Sequence, residues 1–264
     1  EEADTHCEFK KFRIGEHGLQ TGEGRSRTDL GLPGVQQELL EAVYKVNKNI
    51  VLVLNNGRPL VLNWHQQHLP AIVEAWQLGT QSGNAIAQVL YGDYNPSGKL
   101  PMSFPRAVGQ APIYYNYKNT GRPTGAPGVF WSHYEDEKNS PLYPFGYGLS
   151  YTSFEYSNLQ VKVVSGNKVN ISVTLKNSGQ KTGKEVVQLY IRDHFASVTR
   201  PVKELKGFEL VTLEPSESKE ISFILTEEEL GFYDNDGQFI FEKGDFTIFV
   251  GGDSNANLQA QITL

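Results

Sequence analysis

The chain has 264 residues, 39% of them apolar and 20% charged, with a net charge of −6. That length admits one large domain or two of about 150 residues each, and the composition excludes a disordered chain and one embedded in a bilayer through helices. The acidic balance argues against a nucleic-acid binder, which needs clustered Lys and Arg, and the single cysteine, Cys7, excludes an internal disulfide framework and a cysteine-based zinc site.

The first thirteen residues carry no apolar stretch of the kind a signal peptide needs. CEFKKFR (Cys7–Arg13) is also too charged for a strand buried in a parallel sheet, so residues 1–13 read as an anomalous or truncated start. From Pro33 to Asn47 the apolar residues Val35, Leu39, Val43 and Val46 recur at three to four positions. This spacing predicts an amphipathic helix with Pro33 near its first turn. The run IVLVL (Ile50–Leu54) predicts a strand buried on both faces of a parallel sheet. Leu69–Leu78 and Asn84–Leu90 read as two more helices, separated by the GTQSG break at Gly79–Gly83. Helix, buried strand and helix form a fragment of an open α/β layer.

The texture changes after Gly92. Residues 93–149 are dense in Pro, Gly, Asn and Tyr and hold little periodicity; so long a segment is usually functional or interdomain. From Leu159 the period becomes two. Val169, Ile171, Val173 and Leu175 share one face, Ile221, Phe223 and Leu225 a second, and Phe246, Ile248 and Val250 a third. Turn signals such as Asn177-Ser178-Gly179 and Asn235-Asp236-Gly237 intervene. About seven short strands in roughly 100 residues is the rhythm of an immunoglobulin-like β-sandwich. The predicted fold class is therefore α/β followed by all-β.

The densest polar cluster is GEHGLQTGEGRSRTD (Gly15–Asp29), just ahead of the first helix. Ligands of open α/β sheets gather in the loops beyond the carboxyl ends of the strands, and glycines on both sides of Glu23 would hold its carboxylate on a tight turn. The plain alternative is a solvated loop whose acids pair with Arg25 and Arg27. The glycines do not make a dinucleotide or P-loop fingerprint, since the third glycine and the Gly-Lys-Ser/Thr are absent; a Rossmann-type dehydrogenase is excluded on this ground. His65 and His68 have no carboxylate or cysteine nearby to complete a metal set and read as structural. No Gly-x-Ser-x-Gly elbow is present. Trp131, Tyr134 and Tyr143 suit stacking on sugar rings, although such residues more often serve as packing in a loop.

Six stretches in order carry a resemblance: TGEGRSRTDL (Thr21–Leu30), LNNGRPL (Leu54–Leu60), GDYNPSGKLPMSFP (Gly92–Pro105), NTGRP (Asn119–Pro123), YPFGYGLSYT (Tyr143–Thr152) and RPVKELKGF (Arg200–Phe208). Together they make the chain resemble the C-terminal portion of a glycoside hydrolase family 3 enzyme of the bacterial periplasmic β-glucosidase type. The resemblance implies a barrel with an aspartate nucleophile upstream of this chain, then an α/β sandwich that supplies the general acid/base, then a fibronectin type III-like domain. It places the partial α/β sandwich domain at 14–108, an interdomain segment at 109–152 and the fibronectin type III-like domain at 153–264. It implies Glu23 as acid/base, with Glu16 as runner-up, and Arg25, Asp29, Arg58, Trp131 and Tyr134 as supporting or substrate-binding residues. The implied partners are a β-linked glycoside or oligosaccharide substrate and the missing barrel, with no cofactor, metal or membrane span. The full-length enzyme is expected in the periplasm or secreted, its signal peptide lying upstream. The competing reading is a non-catalytic accessory module that binds glycan or protein.

Overall fold

The apolar run at Ile50 becomes the middle strand of a three-stranded parallel sheet in the computed structural model, which describes residues 10–122, 130–164 and 166–264. The chain divides into two compact units. The first comprises β1 (Lys10–Gly15), α1 (Gln36–Val46), β2 (Ile50–Asn55), α2 (Asn63–His68), β3 (Ala71–Glu74) and α3 (Ser82–Tyr91), with two short segments from further along the chain. The sheet order is β1-β2-β3. Strand β2 earns the central place because Ile50, Leu52, Val53 and Leu54 are all buried.

Three expectations need correction in this unit. Residues 10–13 belong to a strand, not to an anomalous start, while residues 1–9, Cys7 among them, lie outside the described residues. Strand β1 tolerates its charges because its burial has period two, so Phe12 and Ile14 turn inward and Lys11 and Arg13 outward. The outward charges are used: Lys11 Nζ donates to the Tyr91 hydroxyl at 2.7 Å, and Arg13 Nη2 to Asn55 Oδ1 at 2.5 Å. The helix expected at 69–78 is absent; a short helix ends at His68 and the chain turns into β3. Pro70 disfavours helical backbone at Leu69, and Ile72 and Val73 are β-branched and pair with β2. The helix expected from 33 forms from Gln36, but Val35, Leu39 and Val46 are exposed and Leu40 is its buried residue. That face is selected by Gln36, whose side-chain amide bonds both backbone groups of Gly15, at 2.8 and 2.9 Å.

The second unit contains β4 (Phe154–Val164), β5 (Lys168–Asn177), β6 (Gly183–Asp193), β7 (Glu204–Leu213), β8 (Ser218–Leu225), α4 (Glu227–Leu230), β9 (Phe232–Tyr233), β10 (Phe239–Ile240), β11 (Asp245–Gly251) and β12 (Leu258–Thr263). Seven long strands make a three-stranded sheet, β4-β5-β8, and a four-stranded sheet, β12-β11-β6-β7. The alternation read from the sequence is the core: Val169, Ile171, Val173, Leu175, Ile221, Leu225, Phe246, Ile248 and Val250 are buried together, with Phe223 packed against them. Asn177 closes the β5–β6 turn, its Nδ2 donating to Lys181 O and Leu213 O and its Oδ1 accepting the Gly179 N–H.

The irregular stretches that join this unit are stapled to it by polar contacts. Lys99 Nζ lies 3.0 and 3.1 Å from the two oxygens of Glu185, which also accepts the Tyr156 hydroxyl. Asn95 donates to Thr182 O and accepts from Ser150 and the Tyr151 N–H. Gly148 packs against the Gly98 carbonyl so closely that a Cβ would collide with it. The NPSGK and FGYGLSY motifs therefore brace this unit, which accounts for their residue types without any catalytic role.

Candidate active site

The carboxyl ends of β1 and β2 lie side by side, Gly15 opposite Asn55, and from them the chain builds a polar cluster. Gly15 has φ +137° and its Cα faces the Asn55 backbone, so a side chain there would be strained and would clash. The next residue, Glu16, is 4% exposed. Its Oε1 lies 3.1 Å from Arg27 Nη1 and 2.9 Å from Arg58 Nε, and its Oε2 accepts Arg58 Nε at 3.1 Å and the Gly57 N–H at 3.3 Å. Arg58 Nη2 also donates to the Gln20 carbonyl at 2.8 Å. Residues 17–26 thus form a loop clasped at both ends, by Glu16 where it leaves β1 and by Arg27 where it returns.

Glu23 sits at the tip of that loop. The Arg25 N–H reaches the Gly22 carbonyl at 3.2 Å, closing a four-residue turn with Glu23 in its second position. Gly22 and Gly24 have φ of +109° and +67°, which a side-chain-bearing residue adopts only at a cost. Glu23 is exposed and makes no ion pair or hydrogen bond with the described residues.

The two candidate carboxylates are therefore different objects. Glu16 is buried with both oxygens engaged, so its charge is spent on holding the loop. Glu23 is held on a tight turn, and its oxygens bond to none of the described residues. Arg25 is exposed beside it, whereas Arg27, which sequence reasoning treated only as a charge partner, is the clasp. Arg58 is in the cluster as a clasp. Asp29 is outside it, capping its own turn through the Gly31 N–H at 2.8 Å. Trp131 and Tyr134 belong to the second unit; the Trp131 ring stacks on His133 at 4.1 Å and Tyr134 is exposed.

Two titratable groups of the first unit stand apart from this cluster: the half-buried Glu74, which the sequence does not single out, and the buried His65, which reads as structural from the sequence. Glu74 ends β3, inside the stretch misread as helix, and burial pushes its carboxyl up to about 7 against the bonds from the Trp76 N–H and Asn56. His65 is 2% exposed with no hydrogen-bond partner at either ring nitrogen among the described residues, and burial holds it down at about 4 despite the pull of Glu41. Their pH dependences oppose. Between 6.5 and 4 the folded chain binds fewer protons at His65 than the unfolded chain, so stability falls on acidification. Between 4.5 and 7 it binds more at Glu74, so that contribution is full below 4.5 and is lost as pH rises through 7. Glu74→Gln is expected to unmask the His65 slope: urea midpoints should then fall as pH drops from 6.5 to 4, by about 3 kcal/mol in all. A variant as flat as the parent would contradict it.

The comparisons with known proteins bear on the family and the fold. Residues 11–151 match the "Glycosyl hydrolase family 3 C-terminal domain" and residues 185–254 the "Fibronectin type III-like domain". The chain is 48% identical over 246 residues to a periplasmic β-glucosidase of Salmonella typhimurium, covering 91% of this chain and 32% of that protein. It is 43% identical over 247 residues to a β-xylosidase of Formosa agariphila, covering 92% and 34%. The crystal structure of a β-glucosidase from Listeria innocua in complex with glucose superposes with a TM-score of 0.92 at 40% identity, over 98% of this chain and 36% of that one. The chain spans about a third of the length of these relatives. Among the described residues no helix is long and apolar enough to cross a membrane.

Proposed function

The chain belongs to glycosyl hydrolase family 3, and from that premise we propose that it is the C-terminal part of an exo-acting retaining β-glycosidase of the β-glucosidase type that removes terminal non-reducing β-D-glycosyl residues. In this reading residues 14–108 belong to the α/β sandwich domain, 109–152 link it onward, and 153–264 form the fibronectin type III-like domain. Glu23 is the general acid/base. It first protonates the glycosidic oxygen as the bond to the leaving group breaks, then deprotonates the water that releases the sugar from the enzyme. The nucleophile is an aspartate of the barrel that precedes this chain in the whole enzyme, held about 5–5.5 Å from the acid, as retention requires. The enzyme works in the periplasm or outside the cell.

One observation carries the assignment of roles. Glu16, the other acid of the loop, has its side chain fully buried between two guanidinium groups, whereas Glu23 stands on a clasped turn with no ion pair among the described residues. A proton shuttle must reach the reacting atoms, and a carboxylate locked in a double ion pair cannot do so without breaking it. Arg58 holds the loop, Arg25 and Asp29 are offered as supporting residues beside it, and Trp131 and Tyr134 as aromatic surfaces toward substrate.

The purified chain is expected to show no turnover of an aryl β-glucoside, and co-expression with the barrel-bearing part of the parent gene should restore it. Sustained retaining hydrolysis by the chain alone would refute the division of roles.

A further inference from the structure

Glu74 is a half-buried acid at the tip of β3 with no ion pair among the described residues. Its Oε1 accepts the Trp76 N–H at 2.9 Å and its Oε2 the Asn56 Nδ2 at 3.3 Å. Asn56 is fully buried, and the same Nδ2 donates to the Arg58 carbonyl at 2.7 Å. Arg58 in turn holds Glu16 and Gln20. On the other side Trp76 has φ +48°, a costly backbone for a bulky residue. It is held by its N–H on Glu74 and by its carbonyl, which accepts Asn55 Nδ2. Glu74 therefore ties together the segments that follow β2 and β3.

Resting on the reading of Glu23 above, we propose that Glu74 is a positioning residue for the acid/base loop: it orients Asn56, Asn56 sets the Gly57–Arg58 backbone, and Arg58 carries Glu16 and the loop that bears Glu23. The charged groups of this neighbourhood are Glu16, Arg27 and Arg58 of the clasp and Arg13 on β1, and none of them pairs with Glu74. Nothing in the clasp requires a carboxylate at position 74 for packing alone, since what it contributes is two accepting oxygens aimed at two different segments.

The carboxyl titrates near neutrality, so it supplies its own probe. In the purified chain, NMR signals of the Trp76 N–H, the Asn56 side-chain amide, the Gly57 N–H and the Arg58 Nε–H are expected to shift with one common midpoint near 7. In Glu74→Gln the new amide keeps the bond from Trp76 but turns an NH2 against Asn56. The common midpoint should then vanish at Gly57 and Arg58, and Gly57 amide exchange should rise about tenfold. In the full-length enzyme the same substitution should lower kcat about tenfold with KM unchanged. Titration of Trp76 without Gly57 and Arg58, or the same titration persisting in Glu74→Gln, overturns the proposal. Glu23→Gln should leave all of these signals in place. Full activity of that variant would sink the role of Glu23 alone, and a missing common midpoint would sink the role of Glu74 alone.

Discussion

Replacing Glu23 by Gln in the full-length enzyme is expected to cut turnover of an alkyl β-glucoside by about 10²–10⁴-fold, the range a positioned general acid/base supplies. The loss should depend on the leaving group. A substrate whose aglycone departs without protonation still forms the glycosyl-enzyme, and the block moves to its hydrolysis, where the missing base no longer activates water. A small anionic nucleophile such as azide, which needs no base, should then restore turnover and yield the β-configured glycosyl azide. Stability should hold within about 0.5 kcal/mol, because Glu23 is exposed and bonds to no described residue. An alkyl glucoside turned over at the parental rate by Glu23→Gln would remove the residue from the mechanism.

Glu16→Ala should do the reverse, costing fold before chemistry. It leaves Arg27 and Arg58 facing each other without a counter-charge and strips the Gly57 N–H of its acceptor. Breaking a buried pair from one side costs about 3–5 kcal/mol. The two guanidinium side chains keep 19% and 17% of their surface, so water relieves part of this, and about 3 kcal/mol is expected. Urea unfolding of the purified chain measures it, as an early transition of the first unit. Glu16→Gln keeps one acceptor oxygen and should lose about half as much. The loop should open in Glu16→Ala, read as faster amide exchange at Gln20 and Arg25, whose N–H groups bond the His17 and Gly22 carbonyls within the clasped loop. Equal urea midpoints for Glu16→Ala and the parent would show that the ion pairs add nothing net.

Much of the architecture was legible locally. In the sandwich, Val169, Ile171, Val173 and Leu175 alternate with polar residues, and period two leaves only one face for them to share. Gly22 and Gly24 announced a tight turn around Glu23, and both adopt positive φ. Where local pattern failed, the deciding partner was distant. The stretch 69–78 looked helical by its apolar content, but Val51 to Leu54 offered it a strand to pair with and Pro70 barred the helical start. The charged Lys11 and Arg13 are compatible with a strand because side chains alternate between the two faces of a sheet, and both point away from the face that Phe12 and Ile14 bury. The stripe Val35, Leu39, Val46 looked like the buried face of α1, and Gln36 turned the helix another way by seizing the Gly15 backbone, 21 residues earlier.

The chain's own order of residues was enough for the two classes of fold and for a glycine-framed glutamate, because strand faces and turns follow from steric rules that act over two to four residues. The difference between Glu16 and Glu23 was not in that order. Both are glutamates in one glycine-rich loop, and Arg58 stands 42 positions from Glu16. Glu74 likewise became notable only once β3 carried it beside Asn56, 18 positions back. An ion pair depends on distance in the folded chain, and a carboxyl's proton affinity on how much water folding removes, so both awaited the packing of three strands side by side.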